Sequence, residues 1–210
     1  MKLVDLALYT PRPLTDEGLE LENKSRAIFT AIAKRLKRDV ETEDFRKINV
    51  MINSVSPNKF TVGLSTLGYH IEKFDIASFL NKSVSQQKDM LLTLGIEVLS
   101  DVFSEFDLKG PSLTAIKRGI VHNGFRNTYF GPVSEGFACR ARIKIVQGFD
   151  CSEIFLEVKK KRTLQVERKL WEIESTSPFI FQAYLKKLDW ISSKKLNLNI
   201  MNKGDHLIEF

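Results

Sequence analysis

The stretch CRARIKIVQGFDCSEIFLEV, residues 139–158, decides how this chain reads. Cys139, Ala141, Ile143 and Ile145 alternate with Arg140, Arg142 and Lys144, and Ile154, Leu156 and Val158 repeat the pattern beyond Gly148. A period of two with one apolar face is the signature of a half-buried antiparallel strand, and Gln147-Gly148-Phe149-Asp150 supplies the turn between two of them. The charged run Lys159, Lys160, Lys161 and Arg162 reads as a turn, after which a third strand is expected from Leu164 to Ile173. The segment therefore reads as a three-stranded meander.

Upstream the period is helical. Thr15 caps a helix expected to run to Arg38, with Asp16 and Glu17 at its positive end, Leu21, Ile28, Ile32 and Leu36 on one face, and Lys34, Arg35, Lys37 and Arg38 in the last turn. Ile48, Val50 and Ile52, then Phe60, Val62 and Leu64, predict an antiparallel hairpin around Ser54 to Asn58. A second long helix is expected from Ser85 to Phe106, and a short one from Ser112 to His122, stopped at Asn123-Gly124. The stretch Phe125 to Gly136, with Gly131 and Pro132, reads as a loop. Downstream, Ser177-Pro178 starts a final helix through Ile180, Tyr184, Leu185, Leu188 and Ile191, and Leu198, Ile200, Leu207 and Ile208 suggest a terminal hairpin.

The fold class is α+β: an antiparallel hairpin and a three-stranded meander packed with three main helices, an order compatible with two similar halves. One continuous domain over residues 1–210 is expected, with a sub-boundary placed in the stretch 125–136.

Composition narrows the function. The chain has 210 residues, 43% hydrophobic and 28% charged, with 32 Lys plus Arg against 26 Asp plus Glu. That is a globular composition and not a disordered one. No apolar run approaches the roughly 20 residues that cross a bilayer, and Asp5 interrupts the start of the chain where a signal peptide would continue its apolar stretch. A cytoplasmic protein with no membrane partner is expected. Cys139 and Cys151 are expected as reduced, structural thiols, since a disulfide framework or a zinc site needs more ligands.

Of the net charge of +6, +5 lies between Ala138 and Lys169, where nine cations face four carboxylates. Arg140, Arg142 and Lys144 project from one strand face, with Lys159, Lys160, Lys161 and Arg162 at the adjoining turn. Such a basic patch suits an acidic protein surface or phosphates, while Phe149 and Phe155 are the aromatics near it that could stack on bases.

The second constellation is Lys117-Arg118-Gly119-Ile120-Val121-His122-Asn123-Gly124. Arg118 and His122 are one turn apart, so one could hold a phosphate bidentately and the other move a proton. The run resembles the Arg-x-x-x-x-His motif of the HEPN ribonucleases, which implies an Arg and a His acting on a phosphodiester. Here the interval from Arg118 is one residue shorter, Lys117 stands in the place of the Arg, and that family is all-helical. Structurally, the same residues are a cationic helix end with a Gly stop.

Dinucleotide, Walker, nucleophile-elbow and His-Glu-x-x-His signatures are absent from the sequence, so no cofactor and no metal is expected. The expectation is a non-enzymatic protein-binding module, of the kind that serves as an immunity- or antitoxin-type inhibitor of a toxin, meeting an acidic partner through the basic β surface. The alternative is an RNA-binding or metal-independent RNA-cleaving protein that uses Arg118 and His122.

Overall fold

A computed structural model describes residues 1–36, 39–160, 163–173, 185–201 and 204–209. Internal contacts divide the chain into two compact units, Met1–Arg126 and Asn127–Phe210. The division falls inside the 125–136 stretch considered as a sub-boundary.

The first unit runs β1 (Asp5–Tyr9), α1 (Asp16–Leu36), β2 (Lys47–Ile52), β3 (Phe60–Gly63), β4 (Thr66–Ile71), α2 (Ile76–Leu80), α3 (Val84–Glu105) and α4 (Leu113–Asn123). Its sheet has the order β1-β2-β4-β3. The α1 helix starts as its sequence dictates: Thr15 Oγ1 accepts from the Gly18 amide at 3.1 Å, and acids occupy the first turn and bases the last. Its buried face, with Leu21, Ile28, Phe29, Ile32 and Leu36, lies between the sheet and α3. The α3 helix is capped two residues before the expected Ser85, because Ser83 and Gln86 form a reciprocal capping box. Gly95 lets α3 approach α1 closely, since a Cβ there would stand 2.5 Å from Ile32 Cδ1. The short α2, capped by Asp75, has no counterpart in the sequence reading.

Two pairings overturn the expected hairpin of 48–52 with 60–64. β2 pairs in parallel with both β1 and β4, and the antiparallel hairpin is β3 with β4. Alternation reports which face of a strand is buried, not which neighbour it takes. The hairpin turn is Leu64-Ser65, both at positive φ (49° and 59°), so a two-residue turn forms with neither Gly nor Asn to announce it.

Tyr69 of β4 donates its hydroxyl to Asp101 on α3, and Lys59 completes the cluster 2.8 Å from the same carboxylate. Burial and the Asp101 hydrogen bond push the Tyr69 phenol up to about 12 from its ordinary 10.0. A raised folded value stabilises the protein fully below the unfolded value and loses that contribution as pH rises through the folded one. Phenolate absorbance at 295 nm should thus show one tyrosine titrating near pH 12 and moving back toward its ordinary range in Asp101→Asn.

Among the described residues, the second unit consists of strands: β5 (Asn127–Gly136), β6 (Cys139–Gln147), β7 (Ser152–Lys160), β8 (Thr163–Ile173), β9 (Leu185–Ser192), β10 (Lys195–Ile200) and β11 (Gly204–Glu209). They form antiparallel sheets of order β5-β6-β7-β8 and β11-β10-β9. One core serves both sheets, drawing Ile143, Ile145, Ile154 and Leu156 from the first and Leu188, Leu196, Leu198 and Ile208 from the second. Each such side chain contributes about 1.5–3 kcal/mol of burial.

The α+β class stands, as do the meander 139–173 and the terminal hairpin. Three expectations are corrected. The loop 125–136 is strand β5, which makes the meander four-stranded; Gly131 and Pro132 sit where the register with β6 shifts, at the end of the sheet, where a missing amide is tolerated. The final helix is strand β9 over Leu185–Ser192, while Ser177, Pro178, Ile180 and Tyr184 lie outside the described residues. Leu185 opposes Ile200 and Lys187 opposes Asn199, so Lys186 is a bulged residue that gives Leu185 and Leu188 a helix-like spacing of three. The two halves are not similar, since a parallel-containing sheet with helices stands in one unit and paired antiparallel sheets in the other.

Candidate functional site

Strand registry fixes the outer face of the β5-β6-β7-β8 sheet. One row across it is Glu135, Arg140, Lys159 and Leu164; the next is Val133, Arg142, Glu157 and Glu167; the next is Phe130, Lys144, Phe155 and Lys169. Opposite-face neighbours such as Ala141, Ile143, Leu156 and Val158 are the buried core, so the alternation read from the sequence holds.

The basic patch, however, is not an uncompensated one. Glu157 sits at its centre, 6% exposed. Its carboxylate takes Arg142 Nε at 2.6 Å and lies 3.5 Å from Lys144 Nζ and 3.9 Å from Lys159 Nζ. Lys144 also reaches Glu167 at 2.6 Å, Lys169 bridges Glu153 and Glu172 at 2.8 Å each, and Arg140 Nε stands 3.8 Å from Glu135. Burial alone would raise the Glu157 carboxyl, but the Arg142 hydrogen bond and the charges of Arg142, Lys144 and Lys159 hold it below its ordinary value. The Glu167 hydrogen bond raises the Lys144 ammonium. Each of the five cations named here has a carboxylate in reach.

What distinguishes the surface is its mixed chemistry. Arg142 lies 3.8 Å over the centre of the Phe130 ring, and Lys144 5.5 Å over that of Phe155. Phe130, Val133, Phe137 and Leu164 are exposed. At the β5–β6 turn an open cleft of about 490 Å³ is lined by Glu135, Gly136, Ala138, Cys139, Arg140, Arg142 and Lys159. Its lip, Phe137-Ala138, holds two non-glycine residues at positive φ (51° and 57°), and Phe137 packs edge-on against Trp190 at 5.7 Å. Gly136 makes that packing feasible, because a Cβ would stand 2.8 Å from Trp190 Cδ1. Arg142 is tied to Glu157 at 2.6 Å, whereas Arg140 and Lys159 have their carboxylates only at 3.8 and 3.9 Å, so these two loosely held cations are the ones the cleft offers to a carboxylate or a similar small anion.

The structure brings Arg140, Arg142, Lys144 and Lys159 to one face. Lys160 is exposed at the end of β7, and Lys161 and Arg162 lie outside the described residues. Arg118 and His122 are on the exposed side of α4, one turn apart, in the other unit. Lys117 is held by Thr93 at 3.1 Å. Phe149 is buried and closed to stacking. Phe130, Glu135 and Glu172 were not legible as site residues, the first two because Gly131-Pro132 made their strand read as a loop. Cys139 and Cys151 are free, and burial, then the Glu172 carboxylate, push the Cys151 thiol up to about 11. Among the described residues no helix is long and apolar enough to cross a membrane.

Comparison with family models, curated proteins and solved structures finds no match to this chain.

Proposed function

We propose that this chain is a cytoplasmic protein-binding module that acts by occupying one partner, in the manner of an immunity- or antitoxin-type inhibitor, through the outer face of β5–β8. The observation that carries this reading is the pairing of Arg142, Lys144 and Lys159 with Glu157 beside exposed Phe130 and Val133. Phosphate-backbone recognition draws on a row of cations that release counterions, and Arg142 and Lys144 in the middle of this row are already held by carboxylates at 2.6 Å, which leaves only the loosely held Arg140 and Lys159. A protein surface is read differently, by aromatic and Arg anchors set within a polar rim. Arg142 stacked on Phe130 supplies such an anchor, already ordered before contact. The cleft by Arg140 and Lys159 receives an acidic side chain of the partner.

The test uses the product of the adjacent open reading frame, since an inhibitor is commonly encoded beside its target. Calorimetric titration should show a one-to-one complex. Arg140→Glu and Lys159→Glu should each weaken it about tenfold or more and flatten its salt dependence. Unchanged affinity in both variants removes this face from the contact. Total RNA incubated with the protein and with His122→Ala reports on the other class: His-dependent cleavage would replace the binding reading with a ribonuclease one.

A further inference from the structure

A second site lies in the first unit, where the parallel strands β2 and β4 end side by side. Ser54 follows β2, and its Oγ stands 2.7 Å from Nδ1 of His70, near the end of β4. The other ring nitrogen, Nε2, is 2.9 Å from Thr61 Oγ1 on β3. A hydroxyl on an imidazole nitrogen, with the opposite nitrogen held by a third group, is the arrangement that activates a serine nucleophile. The carboxyl ends of parallel strands are also where open α/β sheets place their ligands.

The surroundings hold this geometry in place. Asn53, immediately before Ser54, is fixed at φ 49° by two hydrogen bonds with the Phe74 backbone, at 2.6 and 3.0 Å. The Ser56 amide donates to Ser54 Oγ at 3.3 Å. Gly68 clears the space in which Thr61 and His70 meet, because a Cβ there would stand 2.5 Å from Thr61 Oγ1 and 3.1 Å from His70 Nε2. Ser54 and His70 are half-buried, and both line an open cavity of about 500 Å³ together with Asn58, Lys59 and Lys73.

We infer that Ser54, His70 and Thr61 form a nucleophilic serine site that hydrolyses a small carboxylic ester. With the ring proton on Nε2 and donated to Thr61 Oγ1, Nδ1 accepts from the Ser54 hydroxyl. Ser54 Oγ attacks the ester carbonyl carbon as its proton passes to Nδ1. Collapse of the tetrahedral adduct breaks the bond to the leaving alkoxide, which takes that proton and departs as alcohol. Water, deprotonated by the same nitrogen, then cleaves the acyl-serine to the carboxylic acid and restores Ser54. Lys73, on the cavity wall, supplies positive charge for the oxyanion. Thr61 is a positioning residue.

The experiment treats the full chain with a fluorophosphonate, which bonds to an activated serine with loss of fluoride, and maps the adduct by peptide mass spectrometry. Labelling at Ser54, its loss in Ser54→Ala, and a fall in p-nitrophenyl acetate turnover of about a hundredfold or more in His70→Asn are expected. Thr61→Val should change the pH profile of turnover, and Thr61→Ser should restore it. Circular dichroism of each variant checks folding. An unlabelled wild-type chain, or labelling that persists in Ser54→Ala, overturns the assignment without reference to any variant's stability or to the protein-binding face.

Discussion

Glu157→Ala should destabilise the second unit by about 3 kcal/mol, read as a lowered urea midpoint with an unchanged slope. The carboxylate is 6% exposed and holds Arg142 at 2.6 Å, with Lys144 at 3.5 Å. Alanine would leave two partly buried cations facing each other and would open a gap on the sheet face. Removing one member of a buried ion cluster costs more than the cluster contributes, because the remaining charges stay desolvated. Glu157→Gln should lose less, since an amide oxygen still accepts from Arg142. The sign of the pH effect follows from the depressed folded value. The carboxylate's contribution is complete above its ordinary 4.5 and is lost as pH falls through the folded value. The gap between wild type and Glu157→Ala should accordingly narrow at pH values below that range.

Gly95→Leu should cost about 3 kcal/mol in the first unit, a drop in Tm of roughly 10 °C. A Cβ at this position would stand 2.5 Å from Ile32 Cδ1 and 3.3 Å from Phe29 Cε1, so a longer side chain must force α3 away from α1. Gly95→Ala is a sharper control. Its Cβ meets the tip of Ile32 at 2.5 Å and the Phe29 ring at 3.3 Å, a strain that roughly 1 kcal/mol of gained helix propensity partly offsets, so it should lose clearly less than the Leu variant. A Leu variant as stable as the Ala variant would show that the two helices are not in close contact at this point.

The sequence was informative wherever local chemistry sets structure. Thr15 and Ser112 cap their helices as their side chains dictate, Gly124 at φ 74° ends α4, and alternation from Cys139 to Val158 sorts core from surface. It failed where one extra residue changes the period. Lys186 turns a strand into an apparent helix, and Gly131-Pro132 turns a strand into an apparent loop. Pairing direction was beyond reach for β2, because its neighbours are chosen by chain crossings and not by its own residues. The candidate site shows the same division. That Arg140, Arg142 and Lys144 share a face was readable from parity. Their compensation was not, because Glu135 and Glu172 lie outside the basic segment and Glu157 becomes central only through registry with β6.

The contrast in strand connection also bears on how each unit acquires its structure. In the second unit the paired strands β5–β6, β6–β7 and β10–β11 are sequence neighbours, so each ladder can close over a short loop at small entropic cost. In the first unit β1 finds β2 only after the whole of α1 has been spanned, and β2 meets β4 across β3. Rates fall as contacts become less local. Pulse-labelled amide exchange during refolding should protect β6 and β7 before β1 and β2, so the surface proposed to meet a partner would be assembled while the parallel sheet is still searching for its register.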